Sequence, residues 1–214
     1  MPETRILVFD TSAAHCAAAL LSGDRILGER REEMARGQAE RLMPLIEEIM
    51  QGADLAFADL DAIAVGVGPG NFTGIRIAVA AARGLAMGLG RPAIGVDTFH
   101  ACLPPEAETG EATVLLGAPR GQIHVQRFGN GLATGDATIC DADAVETAGR
   151  VIADDLAAGI VAGADRADPW PERLRRMARR AEAILASGQD IAPPAPLYIR
   201  EADAAPARPV PPVR

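Results

Sequence analysis

Apolar and polar positions change period several times along this 214-residue chain, and each change marks an expected element. Residues 4–11 are an apolar run, Ile6 to Phe9, that ends in Asp10-Thr11-Ser12. Such a run predicts a buried strand with a polar trio at its end. Residues 15–21 predict a second strand, and Gly23-Asp24 marks a turn into a third that begins at Arg25, giving a three-stranded meander. From Gln38 to Met50, Leu42, Leu45, Ile46 and Ile49 recur at i, i+3, i+4 and i+7, the spacing of an amphipathic helix. A strand over 61–67, a helix over 73–89 and a short strand over 92–96 complete the first half.

The second half is patterned less sharply. Residues 113–117 and 122–128 predict a hairpin around Arg120-Gly121, and residues 160–164 a further strand. Residues 171–186 predict a helix with five arginines, Arg173, Arg175, Arg176, Arg179 and Arg180. These are expected to form a solvated face paired with Glu172 and Glu182, in preference to an RNA or acidic-partner surface. Pro206, Pro209, Pro211 and Pro212 predict a flexible tail over 201–214. The expected organisation is thus a first lobe over 1–100, a smaller second lobe over 101–200, and the tail.

One segment stands out chemically. Between the strand over 61–67 and the following helix lies a loop with Gly66, Gly68, Pro69, Gly70 and Gly74. A strand, a glycine loop and a helix start can turn free backbone N–H groups toward an anion. The phosphate-gripping loop of the G-x-x-x-x-G-K-[ST] type is excluded, because Ile75 and Arg76 follow Gly74. The dinucleotide fingerprint fails as well: Asn71 stands where its third glycine belongs, and Asp97 lies further along than the rule requires. With Asp10, Thr11 and Ser12, the residues Gly68, Gly70, Asn71, Thr73 and Gly74 form the candidate phosphate or nucleotide loop, as a minority alternative to a rigid helix start. The bland reading of the trio, Asp and Ser satisfying turn amides, is favoured over a phosphate role.

Composition narrows the classes. The net charge is −8, so the chain gains little from gripping a nucleic-acid backbone alone. Cys16, Cys102 and Cys140 are few, odd in number and far apart, which fits a reducing compartment and no disulfide frame. No secretory leader is expected, because Arg5 and Asp10 interrupt the N-terminal apolar stretch. The run from Ile75 to Leu89 contains Arg76 and Arg83 and is expected to be too short to span a bilayer. A cytoplasmic protein with no membrane contact is the expectation. His15, His100 and His124 are isolated in sequence, so no metal site is expected. The near pair His100 and Cys102 is not expected to act together, since their side chains should diverge and the sequence places no orienting acid beside them.

The strand ending Asp10-Thr11-Ser12, the segment Arg36-Gly-Gln-Ala-Glu-Arg-Leu-Met-Pro44, and Gly68-Pro-Gly-Asn-Phe-Thr-Gly-Ile-Arg76 closely resemble the TsaB (YeaZ) family. These are accessory subunits of bacterial threonylcarbamoyladenosine synthesis on tRNA. The likeness is specific over residues 5–100 and looser at 113–128, at Gly163-Ala-Asp165 and at Pro196-Leu-Tyr-Ile-Arg200. It implies an actin-like, ribonuclease-H-like fold of two α/β lobes with mixed sheets flanked by helices.

The resemblance further implies a partner, the catalytic relative TsaD, which transfers the threonylcarbamoyl group to the adenosine beside the anticodon. Pairing through the two N-terminal helices would engage Leu42, Met43, Ile46, Met50, Phe72, Thr73, Ile75, Arg76, Val79 and Arg83. Self-pairing is implied where the partner is absent, as is an assembly with the ATPase TsaE. It implies no catalytic residue and no intrinsic cofactor in this chain, ATP or ADP at most at the complex interface, and tRNA contacted only indirectly. TsaD-like proteins carry a metal-binding histidine pair after the strand that follows the glycine loop, where Val96-Asp-Thr-Phe-His-Ala-Cys-Leu103 has His100 alone. Two departures are visible: many relatives have His where Gln38 stands, and an Asp-Ala-Arg-Arg-like segment where this chain has Gly117-Ala-Pro-Arg120.

The alternative from another class is a stand-alone actin-like ATPase or small-molecule kinase, with Asp10 near the phosphates and Asp97 as the second acid. A dinucleotide-binding protein is a third and weaker alternative.

Overall fold

The computed structural model describes residues 3–199; the tail expected over 201–214 lies outside the described residues. Three antiparallel strands open the chain: β1 (Arg5–Asp10), β2 (His15–Ser22) and β3 (Arg25–Glu33). After helix α1 (Gln38–Gly52), strand β4 (Ala62–Gly66) joins β1 in parallel. Helix α2 (Phe72–Leu89) then leads to β5 (Ala93–Val96), parallel to β4, and the sheet order is β3-β2-β1-β4-β5.

The central strands are covered on both faces, which is why they read as apolar runs without alternation. Successive residues of β1 point to opposite faces. Leu7 and Phe9 pack with Leu42, Leu45 and Ile46 of α1 and Ile75 and Val79 of α2. Ile6 and Val8 pack with Leu174 and Met177, which belong to a helix from the far end of the chain. The alanines of β2, Ala17 to Ala19, are fully buried between these layers.

A short helix, α3 (Thr98–Cys102), capped by the Asp97 side chain, leads out of the first sheet. The second sheet starts with the hairpin β6 (Glu111–Gly117) and β7 (Gln122–Gly129), turning at Arg120 and Gly121, both with φ in the left-handed region. Short strands β8 (Leu132–Ala133) and β9 (Thr138–Asp141) pair with β7. Strand β10 (Arg150–Ala153) lies parallel to β6, and after α4 (Asp155–Ala158) the two-residue β11 (Asp165–Arg166) lies parallel to β10.

The strand expected over 160–164 is a turn instead, and the strand falls at 165–166. Val161 donates its amide to the Ala157 carbonyl at the end of α4, and its side chain packs partly buried against the cluster of Leu115, Ile123 and Ala157. Strands β9 and β10 lacked a legible signal: both are four residues long.

The last helix, α5 (Trp170–Ala186), returns to the first sheet and covers the face opposite α1 and α2. Against the division expected at residue 100, α5 packs with the first sheet although it follows the second sheet in sequence. Its arginines are also not one solvated face. Arg173 and Arg176 are buried, Arg176 donates to the Ala101 carbonyl at 3.1 Å and pairs with Asp168, and Arg179 bonds Asp24 at 2.7 Å. Of the expected acidic partners, Glu172 does pair, with Arg175 at 3.4 Å. Finally, residues 191–199 run back along α2 and the lobe boundary, where the Leu197 amide donates to the Val67 carbonyl at 2.8 Å.

Candidate functional site

The glycine loop is closed onto the loop that follows β1. The Asn71 amide donates to the Ser12 carbonyl at 2.5 Å, and the Thr11 hydroxyl donates to the Gly74 carbonyl at 2.7 Å. The Asn71 side chain caps α2 by accepting the Gly74 amide at 3.0 Å, while the Ile75 amide bonds the Asn71 carbonyl. A Cβ on Gly70 or Gly74 would overlap the carbonyl oxygens of Ser12 or Thr11. The glycines thus serve close backbone approach. The candidate phosphate residues Asp10, Thr11, Ser12, Gly68, Gly70, Asn71, Thr73 and Gly74 do converge. The amides of Asn71, Gly74 and Ile75, however, are engaged within the chain.

Asp10 is similarly committed. Its buried carboxylate accepts the Ser12 amide and hydroxyl, each at 2.8 Å, and meets His15 Nε2 at 2.9 Å. The Asp-and-Ser turn expected from sequence is present; the histidine was not foreseen, because it comes from the start of β2. His15 also lies 4.1 Å, ring to ring, from Trp170 at the start of α5. The Arg173 guanidinium sits 5.2 Å from the same indole.

Of these groups, Ser12, Trp170 and Arg173 line a 530 Å³ cleft between the lobes, together with Asn71, Thr98, His124, Asp154 and Leu156 among others. Asp154 is turned to its own backbone, accepting the Gly117 and Ala157 amides. Leu156 fills the place of a side chain at 117, since a Cβ on Gly117 would overlap it. Among the described residues no group of three or more His, Cys, Asp or Glu could hold a metal ion.

His100 and Cys102 need a correction. An orienting acid does stand beside the histidine: Asp97 Oδ2 is 2.6 Å from His100 Nδ1. Burial pushes the Asp97 carboxyl up, but the His100 hydrogen bond, the His100 charge and backbone amides outweigh it and hold the group below its usual range. Cys102 remains inert, because burial pushes its thiol up to about 11.

The outer face of α2 is exposed over several apolar and glycine positions among the described residues. Its inner stripe, Ile75, Ala78, Val79 and Ala82, is buried on the sheet. The outer stripe has Ala80, Arg83, Gly84, Met87 and Gly88 exposed, with Met87 86% exposed and no atom within 4 Å of where a Cβ on Gly84 or Gly88 would stand. By length and composition this 18-residue helix is apolar enough to cross a membrane, contrary to the expectation that the run is too short. Its inner stripe lies on the protein's own sheet.

Of the ten residues expected at a partner surface, Leu42, Ile46, Met50, Ile75 and Val79 are buried in the lobe's own core, so they support the helices and do not form their outer face. Met43 is half-buried, and Phe72, Thr73, Arg76 and Arg83 are exposed. The Arg76 guanidinium lies 3.7 Å from the Phe72 ring centre and its Nε donates to the Tyr198 hydroxyl at 3.0 Å. Arg83 Nε donates to the Pro194 carbonyl at 2.8 Å. Ala80, Gly84 and Met87, outside those ten, are exposed on the same helix at i, i+4 and i+7, the complement of the buried stripe.

Two lobes, each a mixed sheet with flanking helices, on either side of a cleft lined by the turn after β1, define an actin-like two-lobed α/β protein. The family model of TsaD, tRNA N6-adenosine threonylcarbamoyltransferase, matches residues 28–168. The chain is 34% identical over 140 residues to the tRNA threonylcarbamoyladenosine biosynthesis protein TsaB of Escherichia coli, covering 63% of this chain and 60% of that one. It is 34% identical over 209 residues to an uncharacterized protein of Mycobacterium bovis, covering 94% of each. Among solved structures, YeaZ from Pseudomonas aeruginosa superposes with a TM-score of 0.71 at 26% identity, covering 91% of this chain and 99% of that one. The chain belongs to the TsaB/YeaZ family of tRNA threonylcarbamoyladenosine biosynthesis.

Proposed function

We propose that this chain is a non-catalytic partner subunit for threonylcarbamoyl transfer to the tRNA adenosine next to the anticodon. It dimerises with a TsaD-like catalytic subunit through the outer face of α2 and the adjoining part of α1, and helps a TsaE-like ATPase to dock. The observation that carries this reading is the exposed stripe Ala80, Gly84, Met87 and Gly88 of α2, small or apolar, with open space at both glycines among the described residues. Small residues there let a second helix approach closely, and Met87 supplies an adaptable apolar anchor. In the absence of the partner the same face pairs two copies of this chain.

The commitments of Asp10 and of the glycine-loop amides within the chain support leaving the chemistry to the partner. ATP or ADP then belongs to the complex interface, and the net charge of −8 leaves most tRNA contacts to the catalytic subunit. The work would be done in the cytoplasm. The test is reconstitution with a TsaD-like subunit, a TsaE-like ATPase and the adenylate-forming enzyme. Modification of tRNA should depend on adding this chain, and full activity without it would refute the reading.

The cleft favours one second reading, a stand-alone actin-like ATPase or small-molecule kinase. Tight binding of Mg-ATP to the isolated chain with turnover would establish it in place of the first.

A further inference from the structure

A second pocket, of 350 Å³, lies beside α5 on the side away from the first sheet, walled by the end of α3, the Asn130–Leu132 turn and α5. Arg176, Arg179, Arg180 and Ala183 line it from α5 at i, i+3, i+4 and i+7, one helical face. Three arginines therefore line one pocket in a chain whose net charge is −8. Against them the lining holds a single carboxylate, Glu108.

Two of these arginines are anchored. Arg176 holds Asp168 and the Ala101 carbonyl, and Arg179 Nε holds Asp24 Oδ1. Each guanidinium has five N–H donors in a fixed fork, so anchoring leaves donors over. Arg180 has no hydrogen bond or ion pair among the described residues and is half-buried beside them. The wall also includes His100, whose Nδ1 is fixed by Asp97 and whose Nε2 is buried without a hydrogen-bond partner. A polar atom so placed costs stability unless something else satisfies it.

We propose that this pocket binds a phosphate monoester, with Arg180 as its free clamp and Arg176 and Arg179 as pre-positioned supports. Guanidinium forks match phosphate oxygens bidentately, and the volume suits a small molecule or one terminal phosphate better than a length of polyanion. The site stands apart from the α2 face, so it holds or fails independently of the partner-subunit reading.

The experiment is titration of the full chain, at constant ionic strength, with inorganic phosphate, AMP, and one short oligoribonucleotide carrying either a 5′-phosphate or a 5′-hydroxyl. Phosphate and AMP should bind saturably, and Arg180→Gln should weaken both about tenfold. Arg179→Gln, a second lining variant, should weaken both as well. Arg36→Gln, at an exposed arginine far from the pocket in sequence, should leave binding unchanged. Arg180→Gln should unfold near the wild-type temperature, since it removes no hydrogen bond or ion pair among the described residues. Preference for the 5′-phosphorylated strand identifies an RNA end as a source, and AMP binding with neither strand bound through Arg180 identifies a free nucleotide. Absence of saturation by phosphate and AMP, equal weakening by Arg180→Gln and Arg36→Gln, or equal binding of both strands through Arg180 would overturn the proposal.

Discussion

The carbonyl oxygen of Thr11 occupies the place where a Cβ on Gly74 would stand. That single approach locks the end of β1 to the start of α2, and neither partner is the movable end of a side chain. Gly74→Ala should therefore cost roughly 2–4 kcal/mol, as overpacking against fixed backbone does. Gly84→Ala, ten residues along the same helix with open space at its Cβ position, should gain about 0.5–1 kcal/mol. Thermal unfolding of the two variants checks both signs.

The two stripes of α2 should separate folding from assembly. Met87→Asp and Gly84→Arg should leave the unfolding temperature of the isolated chain within a few degrees of wild type, yet abolish co-purification with a TsaD-like subunit and any self-pairing. Ile75→Asp, at a buried position, should instead cost more than about 3 kcal/mol and remove soluble protein. Size-exclusion chromatography with a pull-down distinguishes these outcomes.

Asp97 predicts an acid-side dependence. Its carboxyl is held below the ordinary aspartate value, so the folded state binds that proton more weakly than the unfolded chain does. The resulting stability is present in full above about pH 3.9 and is lost as pH falls through the lower folded value. Denaturant midpoints measured from pH 6 down to pH 2 should fall more steeply for the wild type than for Asp97→Asn.

Thiol chemistry should report burial. Burial pushes Cys16 and Cys102 up to about 11, whereas the half-buried Cys140 is raised by partial burial and by the charges of Asp141 and Asp143. A thiol reagent at pH 8 should label Cys140 slowly in the native protein and reach Cys16 and Cys102 only after denaturation.

The segment 191–199 should act as a brace beside the partner face. Tyr198→Ala removes the bond to Arg76 and a ring contact of 5.3 Å with Phe72. Arg83→Ala removes the bond to the Pro194 carbonyl. Each should cost about 0.5–1.5 kcal/mol by thermal unfolding.

Much of the first lobe was legible because its signals are local. The spacing of Leu42, Leu45, Ile46 and Ile49 gave α1, and the apolar run into Asp10 gave β1 with its polar end. The turn at Arg120-Gly121 gave the hairpin of the second lobe. Strands β9 and β10 and the true place of β11 were not legible, because strands of two to four residues are fixed by the neighbour they pair with. The sequence likewise could not reveal Asp97 beside His100 as an orienting acid, since that contact depends on Asp97 capping a helix whose start no pattern marked.

The chain's own residues determined that α2 would be a helix, that glycines would crowd its start, and that the family likeness would centre there. Two apolar stripes run along that helix, one through Ile75, Ala78, Val79 and Ala82, the other through Ala80, Gly84 and Met87. Nothing in their composition says which turns inward. The tertiary structure decided it, because only the first stripe meets Leu7, Phe9, Ile63 and Val65 of the sheet. The same packing brought α5 back from the far end of the chain, so that arginines expected to lie in solvent became anchors and walls of a pocket. Contacts between distant segments made these choices, and a pattern read along one segment does not contain them.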